Sequence, residues 1–94
     1  DACHPAVLRQ IQRVIQAAHQ EGIWVGLCGE LAGDADAIPI LLGLGLDEFS
    51  MAPAAIPRAK EIIRRWRVSE AQKLIATVLD LDSAEAVRAF IRTA

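Results

Sequence analysis

The stretch Ile23-Trp24-Val25-Gly26-Leu27-Cys28-Gly29 decides how this chain is read. From Ile23 to Leu27 it is apolar at every position instead of alternating, which is the pattern of a strand buried on both faces of a parallel sheet. A buried helical segment has the same composition, but so short a run beside glycine favours a strand. Cys28 follows at the strand's C-terminal end, where α/β folds place their ligands.

Upstream, Val7, Ile11, Val14, Ile15 and Ala18 fall on one face of an amphipathic helix running from Pro5 to Gln20. Pro5 suits the first turn and Gly22 the position just past the end. Downstream, Gly29 to Asp34 reads as a glycine-punctuated loop, and Ala37 to Leu42 as a short apolar helix. Asp36 is its expected N-cap, which puts Pro39 at the third helical position, where a missing N–H costs nothing. Gly43-Leu44-Gly45 should break the chain before a second strand over Leu46–Met51. A helix opening at Pro57 turns Ala59, Ile62, Ile63 and Trp66 inward. Ser69 with Gln72, and Asp82 with Glu85, have capping-box spacing and open two further helices. The first of these buries Leu74, Ile75 and Val78, the second Val87, Phe90 and Ile91. Trp24 and Trp66 lie on apolar faces and are expected in the core.

The alternation of helix and strand is the signature of βαβ construction. Two short parallel strands leave open edges and too little surface to cover the helices around them. The expectation is therefore that residues 1–94 belong to a larger α/β domain, or assemble with other copies or a partner.

The 94 residues are 53% apolar and 23% charged, with a formal net charge of −2, which describes a packed globular chain. The basic residues are spread out, and Arg64, Arg65 and Arg67 cluster only at a helix end, so neither nucleic acid nor an anionic membrane surface is an expected partner. No apolar run is long enough to span a bilayer and no signal-peptide pattern appears, which makes the cytoplasm the default. Two cysteines without repeated spacing do not form a disulfide framework.

Among residues that carry chemistry, Cys28 comes first. A thiol with its unperturbed pKa of about 8.5 is mostly protonated near neutral pH, so it can donate a proton where a carboxylic acid cannot. A nucleophilic role would need a neighbouring base, and no histidine is close in sequence. From placement alone a small buried hydrophobe is an equal reading. His4 and His19, at the two ends of the first helix, suit surface or capping roles. Cys3-His4 with Cys28 lacks zinc-site spacing, so no metal site is expected within the chain. Glu30 and Asp34 are read as ordinary loop acids. Gly43-Leu44-Gly45 matches neither nucleotide-binding glycine pattern.

Three strings are more specific: His4-Pro5-Ala6-Val7-Leu8, Leu27-Cys28-Gly29-Glu30-Leu31-Ala32-Gly33-Asp34, and Gly43-Leu44-Gly45-Leu46-Asp47-Glu48-Phe49-Ser50-Met51. In this order and spacing they resemble the enzyme I family of the bacterial phosphoenolpyruvate (PEP):sugar phosphotransferase system. The related pyruvate phosphate dikinases and PEP synthases share a Cys-Gly-Glu string, but Leu31-Ala32-Gly33 favours enzyme I. From about Ser69 onward the likeness is one of character only.

The resemblance implies that residues 1–94 are the C-terminal part of a PEP-binding TIM (β/α)8 barrel, about a quarter of it, with added C-terminal helices. It implies an enzyme that moves the phosphoryl group of PEP to its own histidine and on to the histidine-containing phosphocarrier protein, releasing pyruvate. Cys28 would protonate the methylene carbon of the pyruvate enolate, and Gly29 and Glu30 would help to position thiol or ligand. The resemblance also implies Mg²⁺, whose ligands lie on earlier strands, and a homodimer. Neither His4 nor His19 stands in the family's phosphohistidine motif, so this stretch alone should not turn over. The competing reading is a non-catalytic interaction module that binds a partner through exposed helix faces.

Overall fold

The computed structural model describes all 94 residues, Asp1–Ala94. Helix α1 spans Pro5–Gln20, strand β1 Gly26–Cys28, helix α2 Ala37–Leu44 and strand β2 Glu48–Ser50. Helices α3 (Ile56–Arg65), α4 (Val68–Asp80) and α5 (Ala84–Thr93) complete the chain, with one-turn 3₁₀ segments at Leu31–Gly33 and Pro53–Ala55. The two strands pair in parallel, with Gly26 opposite Glu48, Leu27 opposite Phe49 and Cys28 opposite Ser50. This is the α/β architecture expected from the sequence, with both strands shorter than their apolar runs.

One expectation about β1 fails. The helices cover a single face of the sheet: Leu27 and Phe49 are half-buried against the core, while Gly26, Cys28, Glu48 and Ser50 are exposed. Just ahead of β1, Ile23 and Trp24 are 58% and 65% exposed, so Trp24 is not a core residue. Its ring lies over Gly26, where an added Cβ would sit 3.3 Å from Trp24 Cζ3. The apolar face of α1 is also shared differently. Leu8 and Ile15 are fully buried, whereas Val7 and Val14 face outward, Val14 beside Gly26 and Leu27 of β1. These outward apolar residues follow the helical and strand periods of buried positions, but no layer of this chain reaches them.

The core gathers Cys3, Leu8 and Ile15 with α2 residues Ile40, Leu41 and Leu44, α4 residues Ile75 and Val78, and α5 residues Val87 and Ile91. Helix α2 is buried on nearly every side, as its uniformly apolar sequence requires. It runs two residues past the expected stop: Gly43 is helical, and the chain turns only at Gly45, whose φ of 93° is left-handed. Gly43 is there for closeness, because α4 crosses so near that an added Cβ would stand 2.5 Å from the carbonyl oxygen of Ala71. A smaller cluster sets Ile38 against Ala59 and Ile62 of α3, with Ile63 and Trp66 half-buried beside them.

The helix ends also differ in detail from the spacing rules. Helix α4 begins at Val68, and the Glu70 carboxylate accepts from the Arg67 backbone N–H at 3.2 Å, so the Ser69/Gln72 pair is not its cap. Helix α5 is capped by Ser83, whose Oγ accepts from the Ala86 N–H at 3.0 Å, in place of Asp82. His4 caps α1 through Nδ1, which accepts from the Ala6 N–H at 3.0 Å. At the N-terminal ends of the strands, the Asp47 carboxylate accepts from the Val25 N–H at 2.8 Å and meets His19 Nε2 at 2.7 Å. One exposed carboxylate thus ties α1, the entry to β1 and the entry to β2 together.

Candidate functional site

Parallel pairing brings the C-terminal ends of β1 and β2 side by side, and Cys28 and Ser50 are the last residue of each. Cys28 is an exposed free thiol on the open face of the sheet, where it lines a broad concavity with Trp24, Gly26, Glu48 and Ser50. Within these residues Cys28 is therefore not part of the core. Cys3 is fully buried there, and burial pushes its thiol up from the ordinary value.

After Cys28 the chain turns sharply. Gly29 adopts a φ of 111°, which a side chain would resist, and its N–H bonds to the Ser50 carbonyl at 3.1 Å. The loop then tightens into the 3₁₀ turn, with Gly33 N–H on the Glu30 carbonyl and Asp34 N–H on the Leu31 carbonyl, both at 3.1 Å. Ala32 is fully buried beneath it. Gly29, Glu30 and Gly33 form one wall of a cleft of about 330 Å³, and Met51, Ala52 and Ala55, which follow β2, form the other. The cleft therefore lies just past the strand ends. Glu30 is exposed, and its carboxylate has no hydrogen-bond partner within the chain. A larger cleft, of about 700 Å³, lies against α3 and α5 and contains neither strand end nor thiol. Two of its arginines are engaged with carboxylates, Arg65 with Glu61 and Arg92 with Asp36.

Asp34 is not the ordinary loop acid its sequence suggests. Arg88 of α5 grips it with two bonds, Nη1 to Oδ1 at 3.0 Å and Nη2 to Oδ2 at 2.7 Å. The same guanidinium reaches Asp36 at 2.9 Å and Asp1 at 2.9 and 3.0 Å. Asp36 precedes α2 as expected, but its side chain makes no cap; it serves Arg88 and Arg92 instead. Nothing in local spacing announces this cluster, since Arg88 and Asp34 are 54 residues apart.

The hydrogen bonds from Arg88 hold the Asp34 carboxyl below the usual carboxylate range. A folded pKa below the unfolded one adds stability that is present above the unfolded value and is lost as pH falls through the folded one. The stability difference between the unmodified chain and Asp34→Asn should therefore hold at neutral pH and shrink as the pH falls below the unfolded carboxylate value of about 3.9. Thermal melts across that range check it; a difference that does not vary with pH would rule the ion pair out as its source.

No histidine stands beside Cys28, though the Glu48 carboxylate lines the same concavity. His19 is engaged with Asp47 at the N-terminal ends of the strands, away from the thiol, and His4 serves as the cap of α1. The residues present do not form a magnesium site: no group of three or more His, Cys, Asp or Glu could hold a metal ion. Asp1, Asp34 and Asp36 converge on Arg88 instead.

Residues 1–68 match the family described as PEP-utilising enzyme, PEP-binding domain. The chain is 50% identical over 90 residues to the phosphoenolpyruvate-protein phosphotransferase of Priestia megaterium, an alignment that covers 96% of this chain and 16% of that protein. The proteins of the same name from Geobacillus stearothermophilus and Bacillus subtilis (strain 168) are 53% and 52% identical over 89 residues, covering 95% of this chain and 15% of each relative. The chain spans about one sixth of the length of the curated relatives it matches.

Proposed function

Because this chain belongs to the PEP-utilising enzymes, through their PEP-binding domain, we propose that it serves a phosphoenolpyruvate-protein phosphotransferase and supplies the proton donor for release of pyruvate. The observation that carries the reading is the exposed thiol of Cys28 at the end of a parallel strand, beside a cleft at the strand ends and with no histidine next to it. In the proposed reaction an enzyme histidine takes the phosphoryl group of PEP, leaving the enolate of pyruvate. The S–H bond of Cys28 breaks, its proton forms the new C–H bond at the methylene carbon, and the thiolate later regains a proton from solvent. Gly29 and Glu30 lie at the lip of the cleft, where they would contact ligand or steady the loop.

The same reading makes residues 1–94 the last quarter or so of a (β/α)8 barrel. Support comes from the sheet: helices cover one face, the other presents Gly26, Cys28, Glu48 and Ser50, and each strand keeps a free edge. Those are the demands of a strand pair whose open face lines a barrel interior and whose edges meet further strands. Substrate-binding side chains, the phosphohistidine and the Mg²⁺ ligands would come from other parts of the longer protein, as would dimer contacts and the surface that meets the phosphocarrier protein. No helix is long and apolar enough to cross a membrane, and the proposed setting is cytoplasmic sugar uptake. The test is to incubate the longer protein with PEP and Mg²⁺ and to measure pyruvate and phosphohistidine together. Equal yields are expected, and PEP left unconsumed would overturn the proposal.

A further inference from the structure

The cluster around Arg88 lies outside the cleft, yet it anchors the far end of the loop that follows Cys28. All five guanidinium N–H groups are engaged: Nε and one from Nη2 on Asp1, one each from Nη1 and Nη2 on Asp34, and the last from Nη1 on Asp36. The Asp34 carboxylate also accepts from the Asp36 N–H at 3.0 Å, and its carbonyl receives the first N–H groups of α2, from Ala37 and Ile38. Asp34 is therefore the hinge between the Cys28 loop and α2. That loop has two polar anchors to other elements. At one end Gly29 is tied to β2, and at the other Asp34 and Asp36 are tied to α5. Helix α5 lies beyond residues 1–68, the part that matches the family.

We propose that Arg88 is a positioning residue for Cys28: by fixing Asp34 and Asp36 it holds the Gly29–Gly33 loop, and hence the thiol, in register with the reacting carbon. This rests on the reading of Cys28 given under Proposed function. The physical case is one of charge and geometry. Side chains of Arg88, Asp34 and Asp36 are 24%, 25% and 13% exposed, so the ion pairs are partly shielded from water. Without the guanidinium, three carboxylates would face one another with Arg92 alone to compensate, and repulsion would push Asp34 out towards solvent. A planar docking fork with bidentate bonds cannot be replaced by the point charge of a lysine. Misplacement of a reacting group by about 1 Å costs on the order of a hundredfold in rate.

The test uses the longer protein with Arg88→Ala and Arg88→Lys. Arg88→Ala should lower kcat for pyruvate release by about 10- to 100-fold with KM for PEP unchanged, and Arg88→Lys should lie between it and the unmodified protein. PEP stereospecifically labelled with deuterium at the methylene carbon, turned over in tritiated water, reports the face that receives the proton. The unmodified protein should give one chiral methyl group, and Arg88→Ala a mixture. A purely structural residue would lower the melting temperature or the active fraction while leaving stereochemistry intact, so a single enantiomer at unmodified kcat overturns the proposal. If Arg88→Ala does not fold, Arg88→Lys decides by the same readouts. A second measurement needs no turnover: amide exchange at Gly33 and Asp34 should quicken by about tenfold or more in the variants while core amides hold. Unchanged exchange there overturns the positioning role. Failure of the unmodified protein to consume PEP overturns the functional reading instead, and the two failures are distinct.

Discussion

Cys28→Ala in the longer protein is expected to cut pyruvate release from PEP by about 10² to 10⁴-fold, the usual worth of a placed general acid. Phosphoryl transfer in the reverse direction, from the phosphocarrier to the enzyme histidine, should survive, because that step moves no proton to carbon. Its separation from pyruvate release is what makes the variant informative. Within residues 1–94 the thiol stands exposed on the open face of the sheet, so its loss removes no core contact from this part of the fold. A melting temperature equal to that of the unmodified protein is the control that separates a loss of rate from a loss of fold. Cys28→Ser should restore little, since a hydroxyl is a far weaker acid than a thiol. Pyruvate formation by Cys28→Ala at the unmodified rate would remove Cys28 from the mechanism.

The second large effect falls on the fold. At Gly43 a new Cβ would sit 2.5 Å from the carbonyl oxygen of Ala71, 2.7 Å from its carbonyl carbon and 2.9 Å from Ile75 Cδ1. The isoleucine methyl can rotate away, but the carbonyl belongs to the backbone of α4, so the helix itself must retreat by about 1 Å to reach ordinary contact. Alanine would improve helix propensity by about 1 kcal/mol, yet overpacking against a rigid neighbour costs about 1–3 kcal/mol and more when backbone must shift. Because α2 packs against α4 more than against any other element, the net expectation for Gly43→Ala is a loss of about 2 kcal/mol, or a fall in melting temperature of about 10 °C. Gly43→Val should prevent stable docking. Adding Ala71→Gly should not rescue either variant, since the clash is with backbone; rescue would show that side-chain crowding is the cause.

The sequence revealed what local rules govern. Pro5 and the apolar period of α1 were sufficient for the first helix, the unbroken run from Ile23 to Leu27 announced a strand of which only Gly26 and Leu27 fall in β1, and Asp36 with Pro39 located the start of α2. The strand-end position of Cys28 followed directly. Where long-range packing decides, the reading failed. Gly43 and Gly45 look alike in the sequence, but one serves a close helix crossing and the other a left-handed turn. Trp24 reads as core because it is apolar and sits among apolar neighbours, and it is exposed because no layer of this chain covers it. Asp34 reads as a loop acid because its partner stands on the last helix. The cap of α4 went to Glu70 and that of α5 to Ser83, each a near neighbour of the residue chosen, as happens when several acids and hydroxyls compete within one turn.

The two cysteines divide one chemistry between them. Cys3 is sealed in the core with its thiol made harder to ionise, while Cys28 stands open to solvent. A thiol-alkylating reagent will therefore find one thiol on the folded chain and two on the unfolded one. The count of modified thiols becomes a gauge of how far the chain has opened, and the thiol proposed for proton donation is the one that an alkylating reagent reaches first.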